Sequence, residues 1–258
     1  MIEIRVQTQE ELKKKDPQYA SLLVGDFSPD ENGYWLINAG AFNVAVEMAP
    51  GHWVSFPYTS EIFGKNTQLM DYLDKGVLSS ELDHPQVPPG TPDQVVAARL
   101  STILIDRKSA HIKDILAVDI GKKDTRCVES TGNIILIVLR LKPEGNFGSQ
   151  FLETLKNPYS NTSMSIRGFA KKTMVGGNEV RRFTRVITWD QVLRGAYDGA
   201  NKRDSMDYAA LSMTNSICID GVCSGGLTAT MLSQVANLPD ILMAELSARR
   251  SLEQLYVR

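Results

Sequence analysis

The sequence predicts a mostly β fold with flanking helices, arranged as an antiparallel barrel or sandwich. Three observations predict it. Short apolar or alternating runs recur as far as about Val192, the helical segments between them are few and short, and strands and helices do not alternate regularly as a parallel sheet requires.

In chain order, residues 1–6 alternate weakly and read as a first strand. Residues 33–48 read as two strands parted at Asn38-Ala39-Gly40, the second alternating through Phe42, Val44 and Val46. Residues 67–72 make a short helix that stops near Gly76, and 92–98 a loop or helical turn. Residues 100–107, with Ile103, Leu104 and Ile105, read as a strand, as do 115–120 and the strongly apolar run 133–141. Over 149–156, Phe151, Leu152 and Leu155 lie at helical spacing, with Ser149 as N-cap and Asn157-Pro158 as the stop. Residues 163–170 and 181–188 are further strands, and Gly176-Gly177 followed by Asn178 reads as a hairpin turn. Past Gly195 the strand signal thins, and 227–235, 238–246 and 251–257 look helical. The organisation is therefore one domain over 1–195 and a C-terminal helical or flexible appendage over 196–258.

Composition narrows the function classes. The chain has 258 residues, 43% apolar and 22% charged, with a formal net charge of -2. That is enough to bury a sizeable core, and it lacks the basic excess of a dedicated nucleic-acid binder, so no direct nucleic-acid partner is expected. No apolar run is long enough for a membrane span, and the opening MIEIRVQTQEELKKKD does not read as a secretory signal. Cys127, Cys218 and Cys223 read as reduced thiols; Cys218 and Cys223 lack further ligands nearby, so neither a metal nor a cofactor is expected. Gly121-Lys122-Lys123 lacks the upstream glycines of a phosphate loop and reads as a charged turn.

Two segments are poor candidates for plain core: Glu81-Leu82-Asp83-His84-Pro85 and Ser163-Met164-Ser165-Ile166-Arg167-Gly168. Nucleophilic hydrolysis of an amide needs a hydroxyl, a base, a group that orients the base, and donors for the oxyanion. Of the three histidines, His52 lies beside an aromatic run and reads as structural, and His111 sits in a basic stretch that reads as a solvated connection. His84 precedes a proline, which keeps its backbone extended and suits a rigidly held base. In a strand, Ser163 and Ser165 share one face while Met164 and Ile166 point to the core, so alternation alone leaves both serines open as the nucleophile. Gly168 permits close backbone approach, and backbone N–H groups there, with the Arg167 side chain, are candidate oxyanion donors.

These segments resemble the prohead (capsid maturation) proteases of tailed bacteriophages, a serine protease family related to the herpesvirus assemblins. Gly76-Val77-Leu78-Ser79-Ser80-Glu81-Leu82-Asp83-His84-Pro85 is similar to that family's Gly-x-Leu-x-x-Glu-x-x-His-Pro motif, and Met164-Ser165-Ile166-Arg167-Gly168 to its Val-Ser-Ser-Arg-Gly pattern. The resemblance spans about 27–192. It implies a closed antiparallel barrel like that of assemblin, with His84 as base and Ser165 as nucleophile; Ile166 stands where many relatives carry a second serine, and Ser163 is the rival. The third member comes from Ile187-Thr188-Trp189-Asp190-Gln191-Val192, which resembles the family segment with an aromatic residue before Asp and a valine two after it. The chain departs from the relatives there by continuing Leu193-Arg194-Gly195 in place of Pro-Ser. Asp190 is thus the expected orienting acid, with Asp83 its competitor.

The resemblance further implies a serine endopeptidase of His-Ser-Asp type inside the assembling prohead, in the host cytoplasm. Its implied substrates are scaffold or core proteins and the propeptide of the major capsid protein, cut after Glu with a small or aliphatic residue upstream. Self-association and self-cleavage are expected too, with Glu245 and Glu179 as candidate points and the tail as the part trimmed on maturation. The alternative is a non-proteolytic capsid assembly or scaffold-associated structural protein on the same fold; a third reading is an unrelated β-rich binding module in which the serines are structural.

Overall fold

A computed structural model of the chain describes residues 4–125, 132–193 and 200–202. Among them the strands form two sheets. The first orders β1 (Val6–Thr8), β6 (Lys108–Asp119), β7 (Ile135–Pro143) and β2 (Trp35–Phe42), with β5 (Ser79–Glu81) paired to the other end of the β6 edge. The second orders β3 (Val44–Ala49), β4 (His52–Phe56), β9 (Asn178–Val192) and β8 (Ser163–Val175). The fold is mostly β with short helices, as expected. Two corners join the sheets: the chain passes from β2 to β3 through Asn43, and Leu82 just after β5 bridges Gln191 of β9. The ladder pairings among the described residues do not themselves trace a closed ring of strands.

Local chemistry explains the element boundaries. The β2 run is not broken at Asn38-Ala39-Gly40; a register shift between Asn38 and Ala41 absorbs the irregularity, and the turn falls one residue beyond the strand. Asn43 makes that turn with φ of 60°, its Nδ2 donating to the Asn133 carbonyl at 2.7 Å and its Oδ1 accepting from Tyr58 N–H at 2.8 Å. Residues 100–107 are not a strand: α5 (Asp93–Ser101) runs into them, and a 3₁₀ turn at Ile105–Arg107 comes next with Ile105 exposed. Its apolar residues lack the alternation that would face a core. His111 lies within β6, its ring between the Tyr34 hydroxyl (3.2 Å) and the Gly76 carbonyl (3.1 Å), so the stretch around it is a sheet strand and no solvated connection.

The helices are capped by their own sequences. α1 (Gln9–Lys15) starts with a Thr8–Glu11 capping box, and α2 (Pro17–Leu23) with an Asp16 cap and proline in its first turn. The next two are α3 (Ser60–Phe63) and α4 (Gln68–Asp74), the latter capped by Thr67. α6 (Gly148–Lys156) has Phe147 at its N-cap position, two residues before the expected Ser149, and no side-chain cap there. Trp35, Phe42, Ile137, Leu139, Phe151 and Trp189 lie in one core cluster that takes residues from both sheets and from α3, α4 and α6. On the outer side, Leu12, Tyr19 and Leu22 of α1 and α2 are buried, and these helices contact β6 and β2.

The two longest strands, β8 and β9, pair as a hairpin. It turns at Gly176 and Gly177 with φ of 57° and 86°, both positive as a type I′ turn requires. Its ladder contains two register shifts, between Arg167 and Gly168 and between Phe169 and Ala170. Cys127, Cys218, Cys223, Glu245 and the helical segments expected beyond Lys202 lie outside the described residues.

Candidate active site

In the β8–β9 ladder Ser165 stands directly opposite Asp190, so their side chains leave the same face of the sheet. Beside β9 runs the segment that leads from β5 to His84. Ser80 Oγ donates to the Trp189 carbonyl at 2.7 Å, Thr188 Oγ1 donates to the Ser79 carbonyl at 2.7 Å, and Asp83 N–H donates to the Gln191 carbonyl at 2.8 Å. Arg107 secures the same segment from its other side, its Nη2 donating to the Leu82 carbonyl at 2.6 Å. Asp83 then takes φ of 61°, the left-handed region, and the chain leaves the strand line at His84-Pro85.

The geometry at the end of this path is compact. His84 Nε2 lies 2.9 Å from Ser165 Oγ, and His84 Nδ1 lies 3.0 Å from Asp190 Oδ2. A carboxylate only accepts, so Nδ1 carries the proton toward Asp190 and Nε2 is left to accept from the Ser165 hydroxyl. Asp190 is wholly buried while the His84 side chain is 43% exposed, so the base opens to solvent and the acid does not. Ser163 is buried opposite Val192, and Asp83 is exposed; the serine and acid that meet His84 are Ser165 and Asp190. His52 lies instead near Glu179, 3.8 Å away.

The second oxygen of Asp190 is held from behind. Oδ1 accepts from Arg167 Nη2 at 2.6 Å and from Glu81 N–H at 3.3 Å. Arg167 Nη1 donates to Glu81 Oε1 at 3.2 Å and to the Thr102 carbonyl at 2.9 Å. The Arg167 guanidinium is therefore committed to Asp190, Glu81 and Thr102, and Arg167 does not line the cavity beside Ser165, contrary to its expected aim at an oxyanion. Gly168 has a packing reason of its own, because a Cβ there would meet the Arg185 carbonyl oxygen at 2.2 Å.

Glu81 stands at the fixed Glu of the histidine motif without a role assigned from the sequence, and Arg99 is a site residue that the sequence does not single out. Arg99 of α5 grips the buried Glu81 carboxylate with both Nη atoms, at 3.2 and 2.6 Å, and Leu104 N–H adds a bond at 2.7 Å. Burial pushes the Glu81 carboxyl up, but the Arg99 bonds, the Leu104 N–H and the charge of Arg167 more than offset this and hold it below its ordinary value. The signal for Glu81 is its place in the histidine motif, three residues before His84; nothing in the sequence points to Arg99 as its partner.

A cavity of about 210 Å³ opens at Ser165 and His84. Ala39, Val46, Val54, Phe56, Ile166 and Phe183 give it an apolar wall. Ala200 closes one side, its carbonyl accepting from Met164 N–H at 2.9 Å. Lys202 comes next, buried, with its ammonium donating to the carbonyls of Thr154 (2.8 Å), Asn157 and Ser160 (3.1 Å) at the end of α6. Among the described residues no cluster of three His, Cys, Asp or Glu side chains is placed to hold a metal ion, and no helix is long and apolar enough to cross a membrane.

The profile of the Peptidase S80 family matches residues 8–255. A capsid maturation protease of Pseudomonas phage phiKZ is 32% identical over 186 residues, which is 70% of this chain and 65% of that protein, so the chain spans a little under two thirds of the relative's length. No solved structure matches.

Proposed function

Since the chain belongs to the peptidase S80 family, we propose that it is a serine endopeptidase of capsid maturation, acting on scaffold, core and capsid-protein propeptides within an assembling phage prohead. The observation that carries this reading is the continuous path from Ser165 Oγ through the His84 ring to the buried Asp190 carboxylate. The phage relative, named as a capsid maturation protease, supports the setting.

In the proposed mechanism Ser165 Oγ attacks the scissile carbonyl while His84 Nε2 takes its proton. Asp190 Oδ2 keeps the imidazole in the Nδ1–H tautomer and stabilises the imidazolium as it forms. Backbone N–H groups beside Arg167 and Gly168 receive the oxyanion. The Arg167 side chain belongs behind Asp190 as a positioning group, in place of the oxyanion role expected of it. The imidazolium then protonates the leaving amine, and water resolves the acyl-enzyme by the same proton path in reverse.

The substrate rule is also a proposal. An aliphatic side chain near the scissile bond suits the apolar cavity at Ser165. Among the described residues that line the cavity there is no lysine or arginine to meet a glutamate before the cut, so its carboxylate is read outside it. Self-cleavage at Glu179 would require opening a ladder, since Glu179 is paired to Met174 on one side and His52 on the other; Glu245 carries the self-processing reading instead. The barrel closure and the domain boundary near Gly195 belong to the same proposal, with the corners at Asn43 and Leu82–Gln191 in support of closure.

The test is covalent labelling by a fluorophosphonate, with the modified residue mapped by mass spectrometry. Label on Ser165, lost in both Ser165→Ala and His84→Ala while Ser163→Ala still labels, is the expected result. Label on Ser163 would move the nucleophile, and no label together with no cleavage of co-expressed capsid protein would favour the non-proteolytic capsid-assembly reading.

A further inference from the structure

The acid of the site is the near end of a longer buried chain of charges. Outward from Ser165 it runs His84, Asp190, Arg167, Glu81 and Arg99, and the last of these sits on α5, a helix with no buried residues of its own. Cations and carboxylates alternate along it, so each buried charge is flanked by its opposite, the condition on which ionised groups can be kept away from water. We propose that Glu81 and Arg99 are positioning residues for the proteolysis proposed above: together they fix the Arg167 guanidinium so that it occupies Asp190 Oδ1 and leaves Oδ2 alone for His84. The inference rests on that proteolytic reading for its consequence and on the contacts of Arg167 and Glu81 for its cause.

Two details of the contacts carry it. Arg167 divides its donors, Nη2 to Asp190 and Nη1 to Glu81 and the Thr102 carbonyl, so a guanidinium freed from Glu81 keeps one neutral and one charged partner and loses the second charge that fixes its plane. Thr102 and Leu104 belong to the same stretch as Arg99, and Arg99 Nη1 also donates to the Thr102 carbonyl at 3.0 Å. The far end of the clamp is thus a peptide segment, residues 99–104, which meets Glu81 and Arg167 at once. Glu81 also touches Asp190 directly through its backbone N–H, so displacement of β5 moves both groups that bind Oδ1.

The charged groups that face Glu81 are Arg99 from α5, Arg167 from β8 and Asp190 from β9. Glu81→Gln removes the carboxylate charge that holds both guanidiniums, so Arg167 loses its ionic partner on Nη1. Arg99→Gln removes the cation at the far end and leaves the Leu104 N–H to hold the Glu81 carboxylate on that side. Loss of orientation slows Ser165 in both, by about tenfold to a hundredfold, as small displacements of a reacting group do.

The experiment uses the full-length chain. Fluorophosphonate labelling of Ser165 is followed for wild type, Glu81→Gln and Arg99→Gln, and the proton that His84 Nδ1 donates to Asp190 is followed in each by its downfield NMR resonance. Slower labelling in both variants, with that resonance displaced or lost while the rest of the spectrum stays in place, is the expected result. Unchanged rates and an unchanged resonance would overturn the inference, and so would slower labelling with the resonance intact or with the whole spectrum altered, since general loosening does that. Should Glu81→Gln fail to fold, Arg99→Gln decides, because Arg99 lies at the edge of the buried cluster with its side chain 19% exposed. A wild type that does not label counts against the proteolytic reading, whereas the resonance of the His84–Asp190 proton still judges the clamp.

Discussion

Asp190 gives one oxygen to His84 and the other to Arg167 and the Glu81 N–H, and that division governs what can replace it. Oδ1 faces two donors, Arg167 Nη2 and Glu81 N–H, so an asparagine at 190 must turn its carbonyl to them and its amide NH₂ to His84. The imidazole would then accept at Nδ1 and carry its proton on Nε2, where it cannot take one from Ser165. Asp190→Asn is therefore expected to fold and to lose about 10⁴-fold in acylation rate, measured by single-turnover labelling. Asp83 gives a contrasting case. It is exposed with φ of 61°, so Asp83→Gly should leave stability intact, whereas Asp83→Val should cost about 1–2 kcal/mol in denaturant unfolding. At this scale much is legible in the sequence. Alternation puts Ser163 and Ser165 on one face, and only the motif resemblance favours Ser165, the serine that meets His84. The aim of the Arg167 side chain is not legible, because a strand residue two along from Ser165 can reach either the cavity or the acid behind it, and the partner that draws it away, Glu81, lies in another sheet.

Elements are legible where local chemistry decides them and obscure where tertiary pairing does. The Gly176-Gly177 turn and the α4 helix follow from residue types alone. The Thr8–Glu11 capping box is a local signal too, though α1 is not among the helices expected from the sequence. Residues 100–107 mislead because Ile103 packs against the core from an irregular segment while Ile105 stands exposed on a 3₁₀ turn. Only the second half of β6 reads as a strand, because Lys108–Lys113 pairs with β5 and β7 in spite of its charges. Two element-scale predictions come from packing and charge. Gly168→Ala would drive a Cβ against the Arg185 carbonyl, so it should cost about 1–3 kcal/mol in chemical unfolding and part β8 from β9 at the site. Glu81 binds fewer protons in the folded chain than in the unfolded one, so its share of stability is complete above its ordinary value of 4.5 and is lost as pH falls below that value. Denaturant midpoints measured across that window should slope downward with acid in the wild type and less steeply in Glu81→Gln.

At the scale of the whole molecule, both sheets contribute to one site: the base leaves the end of β5, and the other two groups stand on β8 and β9. The order of these pieces is plain in the sequence, but the corners that bring them together are not, since Asn43 and the Leu82–Gln191 bridge are pairings across long separations. The expected boundary near Gly195 also meets a structural consequence. Ala200 to Lys202 pair with Thr162 to Met164, and the Lys202 ammonium fills the carbonyl end of α6. A chain ending after Gly195 should therefore melt at lower temperature than one ending after Lys202, the difference matched in part by Lys202→Met.

The hairpin's two register shifts make it behave like a reading frame. From the turn, the pairing Val175↔Asn178 projected without interruption would set Thr188 against Ser165; each shift spends one extra residue of β9, and after both the partner is Asp190. One shift alone would deliver Trp189 and turn the neighbouring side chains of β9 to the opposite face, while two restore the phase and bring a carboxylate to the nucleophile. Deleting a single residue in the stretch from Thr184 to Ile187 should therefore silence the site much as a frameshift silences a gene, with every group still encoded and none of them in register.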